Sequence, residues 1–434
     1  MKTKLLIVTL ILLSSFIRGQ EVIMLTKSEV VSKVKENSNT LKISQQDVLA
    51  AKGDFQQTNA VFLPNITASH TGFSTTNPLM AFGSKLNQEI LTQNDFNPSL
   101  LNNPTKTQNF ATKLEIQQPL INLDGFYKRK AAKSKMNAVS LKTERIQDYL
   151  LFEVEKSYMQ LQLAYTAVEV LEKALEAANA NKKIADNNFK QGLLQRTDVL
   201  NVEVRVTEVK NQLQTAKSNV QNASNYISFL MNDENYVVYK PTESLTVLSF
   251  KVGKKIISEN RPDIKAMQLA SNGYEALNKA DKMAFLPRLN AFGSYEIYDS
   301  KVFQGNANGY LIGAQISWDL FQGSKRFGKA QKSKAEFEKS KLAYTQYVSK
   351  SNLELNKVKR QLLDAKNRLN LTVLSVQQSK ESLRIRKNRF REGLEKTSDL
   401  LMAETQFAQK QLEHFQTIFE HNFTQIYLEF ITKE

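Results

Sequence analysis

Three histidines, His70, His414 and His421, are the residues of this 434-residue chain with the broadest chemical reach. His414 and His421 are seven positions apart, and each follows a glutamate, Glu413 and Glu420. On a helix that spacing puts both rings on one face but about 10 Å apart along the axis, too far to share one metal ion. The pair is therefore expected on a solvated face. The chain has no cysteine. That excludes a thiolate metal site, a disulfide scaffold and a lipid-modified N-terminal Cys. No phosphate loop of the G-x-x-x-x-G-K-S/T type occurs. The residues predict no enzyme, no metal and no cofactor.

What does recur is a turn. FKQGLLQRTDVL (189–200) and FREGLEKTSDLL (390–401) share Phe, Gly, Leu and Asp at equal spacing. Each follows a segment, about 125–191 and 323–392, without internal Pro or Gly beyond the first turns. In the first, Leu150, Val154, Tyr158, Leu161, Tyr165, Val168, Leu171 and Leu175 are spaced by three and four, a helical seam. About 66 residues of helix span roughly 100 Å, which suits a coiled coil or a tube and not a compact core. Gly192 and Gly393 are the residues that close such helices in the left-handed conformation. Thr197-Asp198 and Ser398-Asp399 then offer N-caps to returning helices that run to about Met231 and Phe430.

The turns belong to a larger duplication. Residues 36–66 align without a gap on 259–289, matching Phe62-Leu63-Pro64 with Phe285-Leu286-Pro287. A period of about 200 residues is a duplicated half-molecule and not a solenoid. Each half reads as helix, hairpin, very long helix, turn, helix. Four runs alternate as strands: 66–73, the weakest, then 110–117, 289–298 and 310–318. Leu114 and Ile116, Tyr295 and Ile297, and Ile312, Ile316 and Trp318 lie on apolar faces opposite small or polar ones. That pattern fits strands with lipid on one side and water on the other. A soluble sheet on a core fits the strands alone equally. The first hairpin carries 23 extra residues within 74–106, where Asn77-Pro78, Asn97-Pro98 and Asn103-Pro104 predict turns.

The N-terminus reads as a secretory signal over residues 1–19. Lys2 and Lys4 precede an apolar core at 5–13, too short to span a bilayer. The expected divisions are a first repeat at 20–231, a mixed linker at 232–260 and a second repeat at 261–434. The formal charge is +16 and falls to +13 without Lys2, Lys4 and Arg18. Between Gly323 and Arg391 there are 19 Lys/Arg against 5 Asp/Glu. A basic stripe can bind nucleic acid. A solvated, Lys-rich helix face is the favoured reading, because a signal is present and a nucleic-acid module is absent.

With its two Phe-Leu-Pro turns, Arg261-Pro262-Asp263-Ile264 opening the second half, and the paired Gly192 and Gly393 turns, the whole mature chain resembles the TolC family of outer-membrane efflux proteins. The resemblance implies a mainly α fold with a small β-barrel: a trimeric α-helical barrel and a 12-stranded transmembrane barrel, four strands per protomer. It implies a bacterial outer-membrane exit duct reaching into the periplasm and coupled to a periplasmic adaptor and an inner-membrane RND or ABC transporter. The docking tips would be Gly192, Leu193, Leu194 and Asp198 with Gly393, Leu394 and Asp399. Some relatives narrow the periplasmic end with acidic residues. Here the matching segment carries Arg384, Arg386 and Arg389, a candidate cationic constriction. The alternative places these arginines on an outer face, paired with a neighbour's glutamates. A structural coiled-coil protein of the envelope and a secreted nucleic-acid binder remain as other functions. The amphipathic strands discriminate against both.

Overall fold

The computed structural model describes residues 22–234, 237–249 and 256–434; the signal segment lies outside them. The first half contains β1 (Val22–Leu25), α1 (Lys27–Asn37), α2 (Asn39–Gln57), β2 (Asn65–Thr75), α3 (Pro78–Asn87), α4 (Pro98–Asn102), β3 (Thr107–Ile121), α5 (Leu123–Lys190) and α6 (Arg196–Met231). The second contains β4 (Val238–Pro241), α7 (Pro262–Met283), β5 (Arg288–Asp299), β6 (Ala307–Ser317), α8 (Lys325–Arg391) and α9 (Thr397–Thr432). No described helix is long and apolar enough to cross a membrane.

The chain divides into two compact units. One comprises residues 47–140 and 266–345 and holds a four-stranded antiparallel sheet in the order β2-β3-β5-β6. The duplication is visible in its side chains. Phe62 of the first Phe-Leu-Pro turn packs edge-on against Phe126, under the Arg129 guanidinium. Phe285 of the second does the same with Phe327 and Arg326. α2 ends at Gln57, earlier than Phe62, because a tighter 3-10 turn at Thr58–Val61 completes the approach to Pro64. Between β2 and β3, two of the Asn-Pro pairs begin helices instead of making turns. Asn77 Oδ1 accepts from the Met80 N–H at 3.2 Å, and Asn97 Oδ1 from the Ser99 N–H at 3.0 Å. Pro at the first helical position has no N–H to leave unpaired, so Asn-Pro is an N-terminus as much as a turn.

The other unit comprises residues 1–46, 141–265 and 346–434, and among its described residues the regular elements are helices apart from β1 and β4. These two short strands pair in parallel, Val22 against Val238. β4 falls in the stretch read as linker, and four residues are too few to show a period. Leu25, Val30, Val34, Leu150, Val154, Tyr158, Leu161 and Ile227 form its largest apolar cluster. The predicted seam of α5 thus faces α1 and α6. Tyr158 buries its ring there, and its hydroxyl donates to the Leu25 carbonyl at 3.0 Å.

In this unit α8 packs along one seam. Leu355 and Val358 meet Leu428 and Ile431 of α9. Farther along, Arg368 pairs with Glu420 at 2.9 Å. α9 also meets α5, with Ile418 and Ile426 against Phe152 and Met159. It is covered on several sides, and this corrects the reading of its histidines. His421 is buried, and His414 lies 3.1 Å from the Thr372 hydroxyl of α8. Burial pushes the His414 imidazole below its ordinary pKa.

The Arg261-Pro262-Asp263 motif is a buried ionic knot. Arg261 donates to both Asp263 oxygens at 2.7 and 2.9 Å, to the Ile431 carbonyl at 2.8 Å and to Ser351 at 2.9 Å. Tyr347 also donates to Asp263, and Arg145 lies over the Phe430 ring at 3.7 Å. Burial alone would raise the Asp263 carboxyl. Hydrogen bonds from Arg261 and Tyr347 and the charges of Arg261 and Arg145 outweigh it and hold the carboxyl below its ordinary 3.8. A depressed acid contributes stability above its unfolded pKa and loses it as pH falls through the folded value. Asp263→Asn should therefore destabilise by about 3 kcal/mol at pH 7, since a buried cation loses its partner. In thermal melts the gap from wild type should narrow below pH 4; a gap independent of pH would refute the charge argument.

Candidate functional site

The two turns are built alike. At the first, the Gly192 N–H donates to the Phe189 carbonyl at 2.9 Å and the Leu193 N–H to Asn188 at 2.9 Å. At the second, the Gly393 N–H donates to Phe390 at 3.1 Å and the Leu394 N–H to Arg389 at 2.9 Å. This pair of bonds satisfies the last carbonyls of a helix and needs a residue at positive φ. Gly192 has φ +74° and Gly393 +72°. A Cβ on either would meet nothing within 4 Å, so neither glycine is required by crowding. Leu193 and Leu394, just past them, are 69% and 66% exposed, whereas Leu194 is half-buried. Apolar side chains held in the open at the end of two helices are suited to contact a partner.

Asp198 and Asp399 do not cap as expected. Each is the third residue of its helix. Asp198 reaches back to accept from the Gln195 N–H at 3.1 Å, and Asp399 lies 3.9 Å from Arg386. Both carboxylates still sit in the first turn, where the helix dipole favours them.

The turns differ in what braces them. Glu395 takes Arg386 at 2.7 Å and Arg389 at 2.8 Å, and Arg389 also donates to the Leu394 carbonyl at 3.2 Å. At the first turn the equivalents of Glu395, Arg386 and Arg389 are Leu194, Ala185 and Asn188, and no such clamp can form. Two of the three candidate constriction arginines thus hold their own turn. Arg384 is exposed and bonds Glu381 of its own helix through two nitrogens at 2.7 and 2.8 Å. These partners belong to the same chain.

Sequence periodicity did not single out the polar group behind the turns. Glu404 of α9 is buried and accepts from Asn181 of α5, and its second oxygen has no hydrogen-bond partner. Arg205 of α6 is also buried, with its Nε unpartnered. Burial pushes the Glu404 carboxyl up, against the Asn181 hydrogen bond and the charges of Lys387 and Arg205. The available signal was a carboxylate on the stripe of Leu400, Ala403 and Ala408.

In the sheet, register sorts the side chains onto two faces. Leu114 is opposite Tyr295, which is opposite Tyr310; Ile116, Gly293 and Ile312 align, as do Thr112 and Ile297, and Leu289 and Ile316. The six strand residues expected on apolar faces therefore share one face. Opposed residues on the other face include Lys113 and Glu296, paired at 3.3 Å, with Glu115 3.2 Å from Lys113. Trp318 lies one residue past β6, and its indole N–H donates to the Phe285 carbonyl at 2.9 Å. It is tied to the second Phe-Leu-Pro turn. His70 is on the apolar face, 2.9 Å from Thr112 and against the Phe303 ring. Among the described residues no group of His, Asp and Glu could hold a metal ion.

The chain matches the family described as outer membrane efflux protein over residues 30–233 and 255–417. No curated protein sequence matches it. Solved structures share its fold. The CmeC outer membrane channel of Campylobacter jejuni is 19% identical, with 94% of this chain and 85% of that one covered and a TM-score of 0.82. The outer membrane protein VceC of Vibrio cholerae is 17% identical, with 93% and 95% covered and a TM-score of 0.79. The open state of the Neisseria gonorrhoeae MtrE outer membrane channel is 15% identical, with 94% and 88% covered and a TM-score of 0.78.

A raised carboxyl stabilises fully below its unfolded pKa and loses that contribution as pH rises through the folded value. Glu404→Gln should therefore raise the melting temperature at pH 8 relative to wild type and change little at pH 5. Equal shifts at both pH values would show that burial does not govern this carboxyl.

Proposed function

The chain belongs to the outer membrane efflux protein family and is an outer-membrane exit duct of an efflux system, and we propose that it acts as a homotrimer whose glycine turns receive a periplasmic adaptor. The observation that carries the trimer is the sheet. It has four strands, β2 and β6 are its edges, and one face is apolar. Hydrocarbon leaves no donor or acceptor for an unpaired strand edge, so the edges must pair with other copies. Three copies supply the twelve strands that the family resemblance implies, within the range of strand numbers that close. Leu114, Ile116, Tyr295, Ile297, Ile312 and Ile316 then face lipid. Trp318, just past β6, lies at the bilayer boundary, where indoles concentrate. Lys113, Glu115 and Glu296 line the water-filled side.

The helical unit also offers faces for contact with another copy. α8 spends one seam on α9, and its opposite face displays Leu353, Leu363, Leu371, Leu374 and Ile385, all exposed. Exposed Leu200 and Val204 of α6 supply a matching face on a second copy. A structural rod would have no use for an amphipathic sheet.

Adaptor docking rests on the open geometry of Gly192, Leu193, Leu194 and Asp198 and of Gly393, Leu394 and Asp399. The inner-membrane partner would be an RND or ABC transporter, and the duct itself would pass its substrate passively. In detergent the protein should run as a trimer; a monodisperse monomer that keeps its β circular-dichroism signal would overturn the closed barrel. Gly192→Val with Gly393→Val should weaken adaptor coupling, and with it efflux, while leaving outer-membrane levels unchanged. Each left-handed turn would be strained by about 1–2 kcal/mol, and the strain would fall at the docking surface. Wild-type efflux at normal protein level would place docking elsewhere.

A further inference from the structure

The excess positive charge is concentrated on α8, with 19 basic and 5 acidic residues over 323–391, and of these only Arg326, Arg368, Arg384, Arg386 and Arg389 are engaged by the contacts described so far. Its placement on the helix decides what it can do. Leu355 and Val358 face α9, and Leu353 and Leu363 lie on the far side. Lys350 and Lys357 are seven residues apart and share one flank between these faces. Lys359 and Lys366, each nine residues beyond its counterpart, fall half a turn round on the other flank. All four are exposed. Among the described residues Lys350, Lys359 and Lys366 enter no ion pair; Lys357 has only Glu354 of its own helix, at 3.9 Å.

In a closed ring of helices each member has a neighbour on either side and two free faces, one toward the bore and one outward. α9 takes the seam of α8, and the next copy takes its leucine face. The flanks are what remain. Whichever flank turns inward, it carries lysines. Arg384, eighteen residues beyond Lys366, continues the second flank.

Four of the five carboxylates of α9 are buried or engaged away from these lysines, Asp399 lying 3.9 Å from Arg386. Glu404 is buried, Glu413 is held by Lys410 at 2.8 Å and Glu420 by Arg368 at 2.9 Å. Lysines seven residues apart repeat at about 10 Å along a helix, close to the screening length of about 10 Å at 0.1 M salt. Contributed by three copies, their fields overlap along the bore.

We propose that the helical bore of this duct is an anion-preferring passage, lined by one lysine flank of α8 from each copy. This rests on the closed-trimer reading. The test is the reversal potential of the purified trimer in planar bilayers under a potassium chloride gradient. Wild type should favour chloride over potassium at least about twofold near 0.1 M salt, because a one-signed bore concentrates counter-ions. The preference should approach unity near 1 M, where screening shortens to about 3 Å. Of the variants Lys350→Gln/Lys357→Gln and Lys359→Gln/Lys366→Gln, one should lower the preference and the other leave it unchanged, which identifies the inward flank. A wild-type preference for potassium, a ratio of 1 at 0.1 M, or no change in either variant overturns the proposal while leaving the duct intact. No current from inserted trimer, or no trimer, overturns the duct reading itself.

Discussion

A backbone amide in hydrocarbon has nothing to bond to but another backbone. That constraint shapes this protein more than any single contact. Four strands with one apolar face satisfy their inner edges and leave β2 and β6 open. A single copy therefore leaves the membrane sheet unfinished at two edges. The antiparallel pairing inside the sheet and the need for further copies at its two edges both answer to that one requirement.

Away from the sheet the chain is held by a different logic. Apolar seams spaced by three and four fasten α5 and α9 to their neighbours, and buried polar groups fix particular registers along them. Arg261 ties Asp263 to Ser351 and to the Ile431 carbonyl, so the start of the second repeat is anchored to its own last helix. Glu404 and Asn181 join α9 to α5 behind the turns. Sliding either helix by one turn would leave these groups buried and unpaired, which costs far more than shifting a leucine along a seam.

Much of this could be read from residue order. Long segments free of Pro and Gly, closed by Gly192 and Gly393, announced the helices and their turns. Strict alternation at Tyr310, Ile312, Ala314 and Ile316 fixed which face of β6 is apolar. What stayed hidden had weak local signals or depended on distant partners. β1 and β4 are too short to show a period and exist because each meets the other. Asn77-Pro78 is compatible with a turn and with a helix start, and only the following residues choose. The histidines of α9 looked solvated because their glutamate neighbours are polar; the helix is buried on several sides, which no spacing within it reveals. Arg386 and Arg389 read as a free cationic cluster because Glu395 lies across a turn from them.

The open edges also set the order of events in making the protein. Before its partners arrive, a newly exported chain presents two unpaired strands beside an apolar sheet face carrying Ile312 and Ile316, both more than 70% exposed. That combination is the template on which chains stack indiscriminately. Productive assembly must then outrun aggregation, and the yield of duct should depend on how many chains are in transit at once and on whether an escort covers the sheet on the way.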